Sequence, residues 1–210
     1  PGGFFVSRDG GHSWQDSSVG LGNDGMFSLA RHPDDPSVLF AGTYNGIVKS
    51  TDGGATWTDS SQGMPPEQWP YTVAIDTHEP DVMYTSTKNG QNKGFCHRNE
   101  TCGIVMKSTD GGQAWAPAMS GLDPRSEFYT LIIYPPDHDT LFLSTSRGVY
   151  ASLDAGERWW PMDTGLPATV NQVRDNVADN LALSRDARHI YLGLVQHGVW
   201  RADLAALAEG

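Results

Sequence analysis

The sequence predicts an all-β fold of short antiparallel strands, and three observations support this prediction. There are 24 glycines and 13 prolines among 210 residues, which indicates many turns and short elements. Apolar and polar residues alternate in short runs such as 26–31, 71–76 and 129–134, and none of these runs keeps a helical period. A turn pattern that ends in tryptophan recurs four times. Long helices are therefore not expected.

Composition and charge exclude several classes of protein. Hydrophobic residues make up 38% of the chain, with seven Trp, seven Tyr and seven Phe, which is enough to bury a core and argues against disorder. The net charge is -11 and lysine and arginine form no cluster, so nucleic acid and anionic membrane surfaces are not expected partners. No apolar run approaches the roughly 18 residues that a membrane helix needs.

The recurring turn pattern is Ser-x-Asp-x-Gly-x-x-Trp, which we call the box. It occupies residues 7–14, 50–57, 108–115 and 152–159. Its aspartates are separated by 43, 58 and 44 residues. That spacing fits one antiparallel unit of four strands, A to D, with the box between strands C and D, and the longest interval carries an insertion.

The residue types of the box predict a structural role. Glycine tolerates the positive φ of a tight turn, serine and aspartate can satisfy the turn's own backbone donors, and tryptophan can bury its ring as strand D begins. Each box offers one carboxylate, which is too few for calcium, so no metal or cofactor is predicted. The predicted structural residues are Ser7, Asp9, Gly11, Trp14, Ser50, Asp52, Gly54, Trp57, Ser108, Asp110, Gly112, Trp115, Ser152, Asp154, Gly156 and Trp159.

The four boxes resemble the Asp-box or BNR repeats of sialidases, xyloglucanase-like glycoside hydrolases, sortilin-type receptors and propeller-type photosystem II assembly factors. The resemblance covers nearly the whole chain. It implies a β-propeller in which each unit is one blade with strand A nearest the axis, as part of a ring of about 6 to 8 blades. Since this family contains both enzymes and binding scaffolds, the resemblance leaves the activity open.

The repeats also divide the chain into blades. Both incomplete units contribute a strand C, so the chain is not expected to close a ring alone, and missing blades or a partner chain would complete it. The expected propeller region is 1–204, with a partial blade at 1–17, full blades at 18–60, 61–118 and 119–163, a partial blade at 177–203, and a tail at 205–210.

An antiparallel meander separates the connections onto two rims. The A–B and C–D turns share one rim, which we call the box rim, and the B–C and D–A loops share the opposite one, the loop rim. Because binding residues concentrate on loops, the loop rim is the expected site of recognition. An aromatic platform for sugar or peptide would use Tyr44, Trp69, Tyr71, Phe128 and Tyr129, with Asn45, Lys93, Arg98, Arg147 and His197 as polar partners. The alternative is that Trp69, Tyr71 and Tyr129 only pack at the inner end of strand A.

Both cysteines lie in the insertion at 88–103. Cys96 and Cys102 suit a disulfide that limits the loop's entropy, and a disulfide implies an oxidising compartment. The expected localisation is therefore secreted, periplasmic or cell-surface. A zinc site through Cys96, His97 and Cys102 is the alternative, although adjacent Cys and His side chains reach one tetrahedral ion with difficulty.

Two functions remain open. The first is a noncatalytic binding or assembly module that recognises a polypeptide or glycan on the loop rim, without enzymatic activity. The second is a fragment of a xyloglucanase- or sialidase-like glycoside hydrolase, which would need paired carboxylates, with Asp24, Glu67 and Glu127 as weak candidates. Residues 44–45, where a xyloglucanase-like enzyme carries an acidic residue, read Tyr-Asn. The sialidase-type Arg-Ile-Pro or Arg-Leu-Pro motif is absent from the sequence.

Overall fold

The computed structural model describes residues 3–21, 25–90, 101–162, 178–194 and 198–204. Its strands form five antiparallel sheets, and within each sheet every strand pairs with the next along the chain. The first sheet has two strands, three complete sheets have four strands each, and the last sheet has three. The prediction of an all-β fold with four-stranded antiparallel units is confirmed.

The strands follow in sequence order. The two-stranded sheet contains β1 (Phe5–Val6) and β2 (Gln15–Asp16). The first complete sheet contains β3 (Met26–Arg31), β4 (Leu39–Thr43), β5 (Gly46–Ser50) and β6 (Thr58–Asp59). The second contains β7 (Gln68–Ile75), β8 (Met83–Asn89), β9 (Val105–Ser108) and β10 (Ala116–Pro117). The third contains β11 (Phe128–Ile133), β12 (Leu141–Thr145), β13 (Gly148–Ser152) and β14 (Trp160–Pro161). The last sheet contains β15 (Ala178–Leu183), β16 (His189–Leu194) and β17 (Gly198–Asp203).

The first strands of the three complete sheets and of the last sheet lie next to one another. Strand β3 contacts β7, β7 contacts β11, and β11 contacts β15. Hydrophobic clusters fill the spaces between neighbouring sheets, for example Phe40, Met83 and Trp115 between the first two complete sheets. This arrangement is the one expected for blades whose first strands surround a common axis.

The four boxes have a common hydrogen-bond pattern. In each, the serine Oγ donates to the aspartate Oδ1 at 2.7–2.8 Å and accepts, at 2.7–3.0 Å, the N–H of the glycine three residues before the tryptophan. The aspartate Oδ1 also accepts the N–H of the residue before tryptophan at 2.8–2.9 Å. Hydrogen bonds from Ser13 and Ser7 lower the pKa of Asp9 to about 2, and those from Thr56 and Ser50 do the same for Asp52.

Three box tryptophans lie between sheets. Trp57, Trp115 and Trp159 are 2–4% exposed. Their indole N–H groups donate to the carbonyl oxygens of Ser17, Ser60 and Ala118. Each ring therefore joins its own blade to the segment that follows the previous strand D.

A second repeated signal accompanies these tryptophans. Gly20, Gly63 and Gly121 have positive φ, and a Cβ on any of them would lie 2.1–2.3 Å from the carbonyl oxygen of a box tryptophan. A leucine or methionine follows each glycine in the sequence. This Gly-Leu or Gly-Met repeat was not among the structural residues predicted from the sequence, although only glycine permits such a close approach.

Several predicted residues lie outside the described residues, namely Asp24, Lys93, Cys96, His97, Arg98 and His197. Cys102 is 2% exposed, and its backbone N–H donates to Pro124. Its disulfide with Cys96 stays a prediction.

Candidate functional site

The inner strands are irregular at the end that lies on the loop rim. The register of β3, β7 and β11 shifts between Met26 and Ser28, between Pro70 and Thr72, and between Phe128 and Leu131. Phe27, Tyr71 and Tyr129 lie within these shifts. A β-bulge bends its strand and re-aims a side chain. Three neighbouring blades thus each have an aromatic residue at the same irregular point.

Four aromatic rings from two blades contact one another there, and we call them the aromatic cluster: Phe27, Tyr44, Trp69 and Tyr71. The Phe27 ring stacks on Tyr71 with centroids 5.1 Å apart and on Trp69 with centroids 5.6 Å apart. Tyr44 meets Phe27 and Trp69 edge-on at 4.7 and 4.6 Å. Such pairs favour one rigid arrangement of rings.

Part of the aromatic cluster is exposed. Tyr44 and Tyr71 are 44% and 36% exposed, while Phe27 and Trp69 are half-buried. A Cβ on Gly90 would lie 2.2 Å from the Trp69 ring, so the chain covers one side of that indole closely. The exposed rings give the loop rim an apolar surface of defined shape.

A charged group adjoins the aromatic cluster, formed by Lys88, Glu127 and Tyr129. The Lys88 Nζ lies 4.1 Å from the ring centroids of both Tyr71 and Tyr129. The Tyr129 hydroxyl donates to Glu127 Oε2 at 2.9 Å, and the same oxygen lies 3.8 Å from Lys88 Nζ. The ammonium is thus held between two aromatic faces and a carboxylate, a favourable position for a partly desolvated cation.

A second charged group on the same rim contains Asp123, Arg125 and Arg147. Arg125 makes two hydrogen bonds of 3.0 Å to the Asp123 carboxylate, and Arg147 Nη1 lies 3.2 Å from it. The hydrogen bond from Arg125 is the main cause of the lowered pKa of Asp123. Arg147, a predicted ligand contact, therefore already has a carboxylate partner.

The structure brings together some of the predicted residues and separates others. Tyr44, Trp69, Tyr71 and Tyr129 form one continuous group, although Tyr129 is only 5% exposed. Phe128 does not join the platform, because its side chain points into the core and is fully buried.

The two remaining predicted residues in the described part of the rim lie in its turns. Asn45 is exposed in the β4–β5 turn, where its N–H donates to Thr43 Oγ1. Glu67 is exposed with φ +63°, and its carbonyl accepts the N–H of Gly90.

Phe27 and Lys88 were not among the site residues predicted from the sequence. A signal for Phe27 was present, since an aromatic residue followed by Ser or Thr occurs at Phe27-Ser28, Tyr71-Thr72 and Tyr129-Thr130. The aromatic residue of this pair follows the preceding box tryptophan by 13 or 14 residues. Lys88 had no comparable signal, because its position depends on the neighbouring blade. Within the described residues, no group of three or more His, Cys, Asp or Glu side chains could hold a metal ion.

Comparison with known proteins identifies the fold class. No protein-family model and no curated protein matches the chain. Three solved GH74 enzymes match it: an ancestral GH74 enzyme (19% identity, TM-score 0.73), the GH74 xyloglucanase from Xanthomonas campestris (17%, 0.66) and the enzyme from Niastella koreensis (15%, 0.71). They cover 96, 92 and 97% of this chain. The chain spans only 27, 29 and 33% of their lengths.

Proteins of other kinds match as well. The extracellular domain of BT4673 from B. thetaiotaomicron has 12% identity and a TM-score of 0.68, covering 95% of this chain and 24% of its own. YCF48 from Cyanidioschyzon merolae has 17% identity and a TM-score of 0.55, covering 80% of this chain and 49% of its own. At these identities the likeness concerns the fold alone. The chain is a β-propeller structure, as predicted, while the number of blades in the complete ring stays a prediction.

Proposed function

We propose that the chain is a noncatalytic binding or assembly module of an Asp-box propeller protein, and that it recognises a polypeptide or glycan on the loop rim. The observation that carries this proposal is the aromatic cluster, whose Tyr44 and Tyr71 rings remain exposed at the inner edge of two blades. Exposed rings held rigidly by their neighbours bind a ligand at a low cost in side-chain entropy.

The charges beside the aromatic cluster favour an uncharged ligand surface. Lys88 lies next to Glu127, and Arg125 and Arg147 both contact Asp123. Since these charges are largely compensated within the protein, stacking and amide or hydroxyl contacts would supply most of the affinity. Sugar faces and extended peptide segments both offer such contacts.

Glycoside hydrolysis is the second candidate, and the matched GH74 xyloglucanase favours it. Hydrolysis of a glycosidic bond needs one protonated and one ionised carboxyl across the substrate. Asp123 contacts two arginines, and Glu127 accepts a tyrosine hydroxyl beside a lysine. The hydrogen bond from Arg125 lowers the pKa of Asp123 and favours its ionised form, which suits a base and disfavours a proton donor. This is why we favour binding over hydrolysis.

The assignment of the boxes to the Asp-box type is part of the same proposal, supported by the hydrogen-bond pattern that all four turns share. The division into blades at 18–60, 61–118 and 119–163 is part of this proposal too.

The structure has no helix in its described part with the length and apolarity that crossing a membrane requires. A secreted, periplasmic or cell-surface location is supported by the match to an extracellular domain.

Binding measurements on the folded chain test this proposal. Xyloglucan oligosaccharides and an array of unstructured peptides are the probes, and Tyr71→Ala is the main variant. We expect Tyr71→Ala to weaken binding at least about tenfold, the loss typical of an aromatic anchor. Trp160→Ala is the control, because Trp160 is 40% exposed on the outer strand β14.

Two results would contradict the proposal. One is equal binding by the native chain and Tyr71→Ala to every probe that either binds. The other is release of reducing ends from xyloglucan that stops in Glu127→Gln, which would establish hydrolysis instead.

A further inference from the structure

Two neighbouring turns of the box rim bring two histidines to one buried carboxylate. Asp76 directly follows strand β7, and its side chain is 1% exposed. Its Oδ1 accepts the backbone N–H groups of His78 and Glu79 at 2.7 and 3.2 Å, which holds the carboxylate at the start of the β7–β8 turn. Its Oδ2 lies 3.1 Å from Nδ1 of His138, which belongs to the β11–β12 turn of the next blade. Asp76 therefore links two complete sheets.

Both imidazole rings turn the same nitrogen towards this carboxylate. His78 Nδ1 lies 3.7 Å from Asp76 Oδ1, and the rings of His78 and His138 stack with centroids 5.5 Å apart and planes inclined by 28°. Because a carboxylate oxygen only accepts hydrogen bonds, the proton of the neutral His138 ring belongs on Nδ1 and the lone pair on Nε2. In the part of the chain that the structure describes, neither Nε2 has a hydrogen-bond partner. The two side chains are 56% and 38% exposed, so a solute can reach the rings.

This arrangement is the one that metal-binding histidines usually have. A carboxylate that accepts the N–H of one ring nitrogen fixes the tautomer and the orientation of the ring, and it makes the other nitrogen a stronger ligand. Imidazole nitrogen suits zinc, copper and nickel ions. One tetrahedral ion with bonds of about 2.0 Å would hold the two Nε2 atoms about 3.3 Å apart. Since the rings are adjacent and partly exposed, they can pivot about their Nδ1 contacts to reach that separation.

The first complete sheet provides an internal contrast. His32 directly follows strand β3, the position that Asp76 has after β7. His32 Nδ1 accepts the backbone N–H groups of Asp34 and Asp35 at 3.3 and 3.2 Å. The lone pair of the neutral ring is therefore on Nδ1 and its proton on Nε2, the opposite of His138. A histidine on this rim without the carboxylate is thus not prepared to bind a metal ion.

We propose that His78 and His138 form a binding site for a divalent transition-metal ion, with both Nε2 atoms as ligands and Asp76 as the carboxylate that orients them. The site uses two protein ligands and no third His, Cys, Asp or Glu, so water fills the other coordination positions and the site stays open, unlike a closed structural zinc site. Because the ion links turns of two neighbouring blades, it stabilises the folded chain. The site lies on the box rim and is independent of the ligand surface proposed on the loop rim.

Isothermal titration of the metal-free folded chain with zinc chloride tests this. His78→Gln and His138→Gln each remove one ligand at an exposed position, and we expect each to weaken zinc binding at least about tenfold. Asp76→Asn should weaken it about tenfold, because the rings lose the carboxylate that orients them. His32→Gln is the matched control, which removes an imidazole of the same rim and should bind zinc as the native chain does. Circular dichroism would verify that each variant keeps its β structure.

Two further measurements locate the ion. Zinc should raise the Tm of the native chain and of His32→Gln, with reversal by EDTA, and should leave the Tm of the His78→Gln/His138→Gln double variant unchanged. Electron paramagnetic resonance of the copper-loaded chain should show coupling to two imidazole nitrogens, and to one in His138→Gln. Equal zinc affinity of the native chain and the double variant would indicate an adventitious ion only and would overturn the proposal. So would a native chain that binds no zinc, or a loss in His32→Gln as large as that in His78→Gln.

Discussion

The two rims lie at opposite ends of the same strands and are held by different kinds of contact. At the box rim, four turns repeat one set of hydrogen bonds, and the polar atoms of serine and aspartate are directed to the turn's own backbone. At the loop rim, the connections differ from blade to blade, yet aromatic residues of neighbouring blades meet at bulges in the inner strands. The comparison indicates that the box rim is held by hydrogen bonds within each turn, while the aromatic surface of the loop rim depends on contacts between neighbouring blades.

Substitution of a buried box tryptophan should have the largest effect on the free energy of unfolding. Trp115 is 4% exposed between two sheets and donates to Ser60, so Trp115→Ala should lower the free energy of unfolding by about 3–5 kcal/mol. Trp14 occupies the same position in the first box but is 63% exposed, so Trp14→Ala should change the free energy of unfolding by less than about 0.5 kcal/mol. Urea denaturation at low protein concentration measures both. Equal losses would mean that the turn, and not the interblade contact, determines the contribution of tryptophan.

Substitution of a box serine should have the second largest effect on the free energy of unfolding. Ser108 is 1% exposed, accepts the N–H of Gly112 and donates to Asp110, so Ser108→Ala leaves a buried donor unsatisfied. We expect a loss of about 1–2 kcal/mol. Ser7→Ala is the matched change in a box whose glycines are exposed to water, and it should cost less. A larger loss for Ser7 than for Ser108 in the same denaturation experiment would be evidence against this ordering.

Acid stability tests the contribution of the box aspartates. The pKa values of Asp9 and Asp52 are lowered from 3.8 to about 2 by hydrogen bonds that their ionised forms accept. A lowered pKa in the folded state stabilises the protein above the unfolded value, and that stabilisation is lost as the pH falls from about 4 towards 2. The stability difference between the native chain and Asp52→Asn should therefore shrink across this interval. A difference that stays constant between pH 4 and pH 2 would show that ionisation of Asp52 contributes nothing.

The smallest effect is expected at the charged group of the loop rim. Lys88→Met removes an ammonium that lies between Tyr71 and Tyr129 and 3.8 Å from Glu127. Because the side chain is 22% exposed, we expect a loss of no more than about 1 kcal/mol in thermal or urea unfolding. If Lys88→Met lowered the free energy of unfolding as much as Trp115→Ala does, Lys88 would contribute to stability as strongly as a buried box tryptophan.

The sequence predicts the box rim better than the loop rim for a physical reason. The box is a local structure, in which Ser108, Asp110 and Gly112 are all linked by hydrogen bonds across four residues or fewer, so the pattern itself determines the turn. The approach of Phe27 to Trp69 and Tyr71, by contrast, depends on how two blades are placed side by side and on bulges that shift the register. Neither is encoded within one short segment.

The dependence of the loop rim on tertiary contacts also explains why Phe128, predicted in the aromatic platform, lies in the core. Phe128 and Tyr129 are adjacent in the sequence, and both are typical of an aromatic platform. Their strand directs Phe128 into the core, while Tyr129 contacts Glu127 and Lys88. Alternation along a strand predicts that such neighbours face opposite ways, but it does not say which of them faces the ligand surface.

The central claim is that the box rim stabilises the fold and the loop rim binds the ligand, and its most direct test is the affinity of two folded variants for a probe that the native chain binds. Isothermal titration of Ser108→Ala and Tyr71→Ala under native conditions makes this comparison. The account predicts unchanged affinity for Ser108→Ala and at least about a tenfold loss for Tyr71→Ala. Weakened binding by folded Ser108→Ala together with unchanged binding by Tyr71→Ala would contradict it.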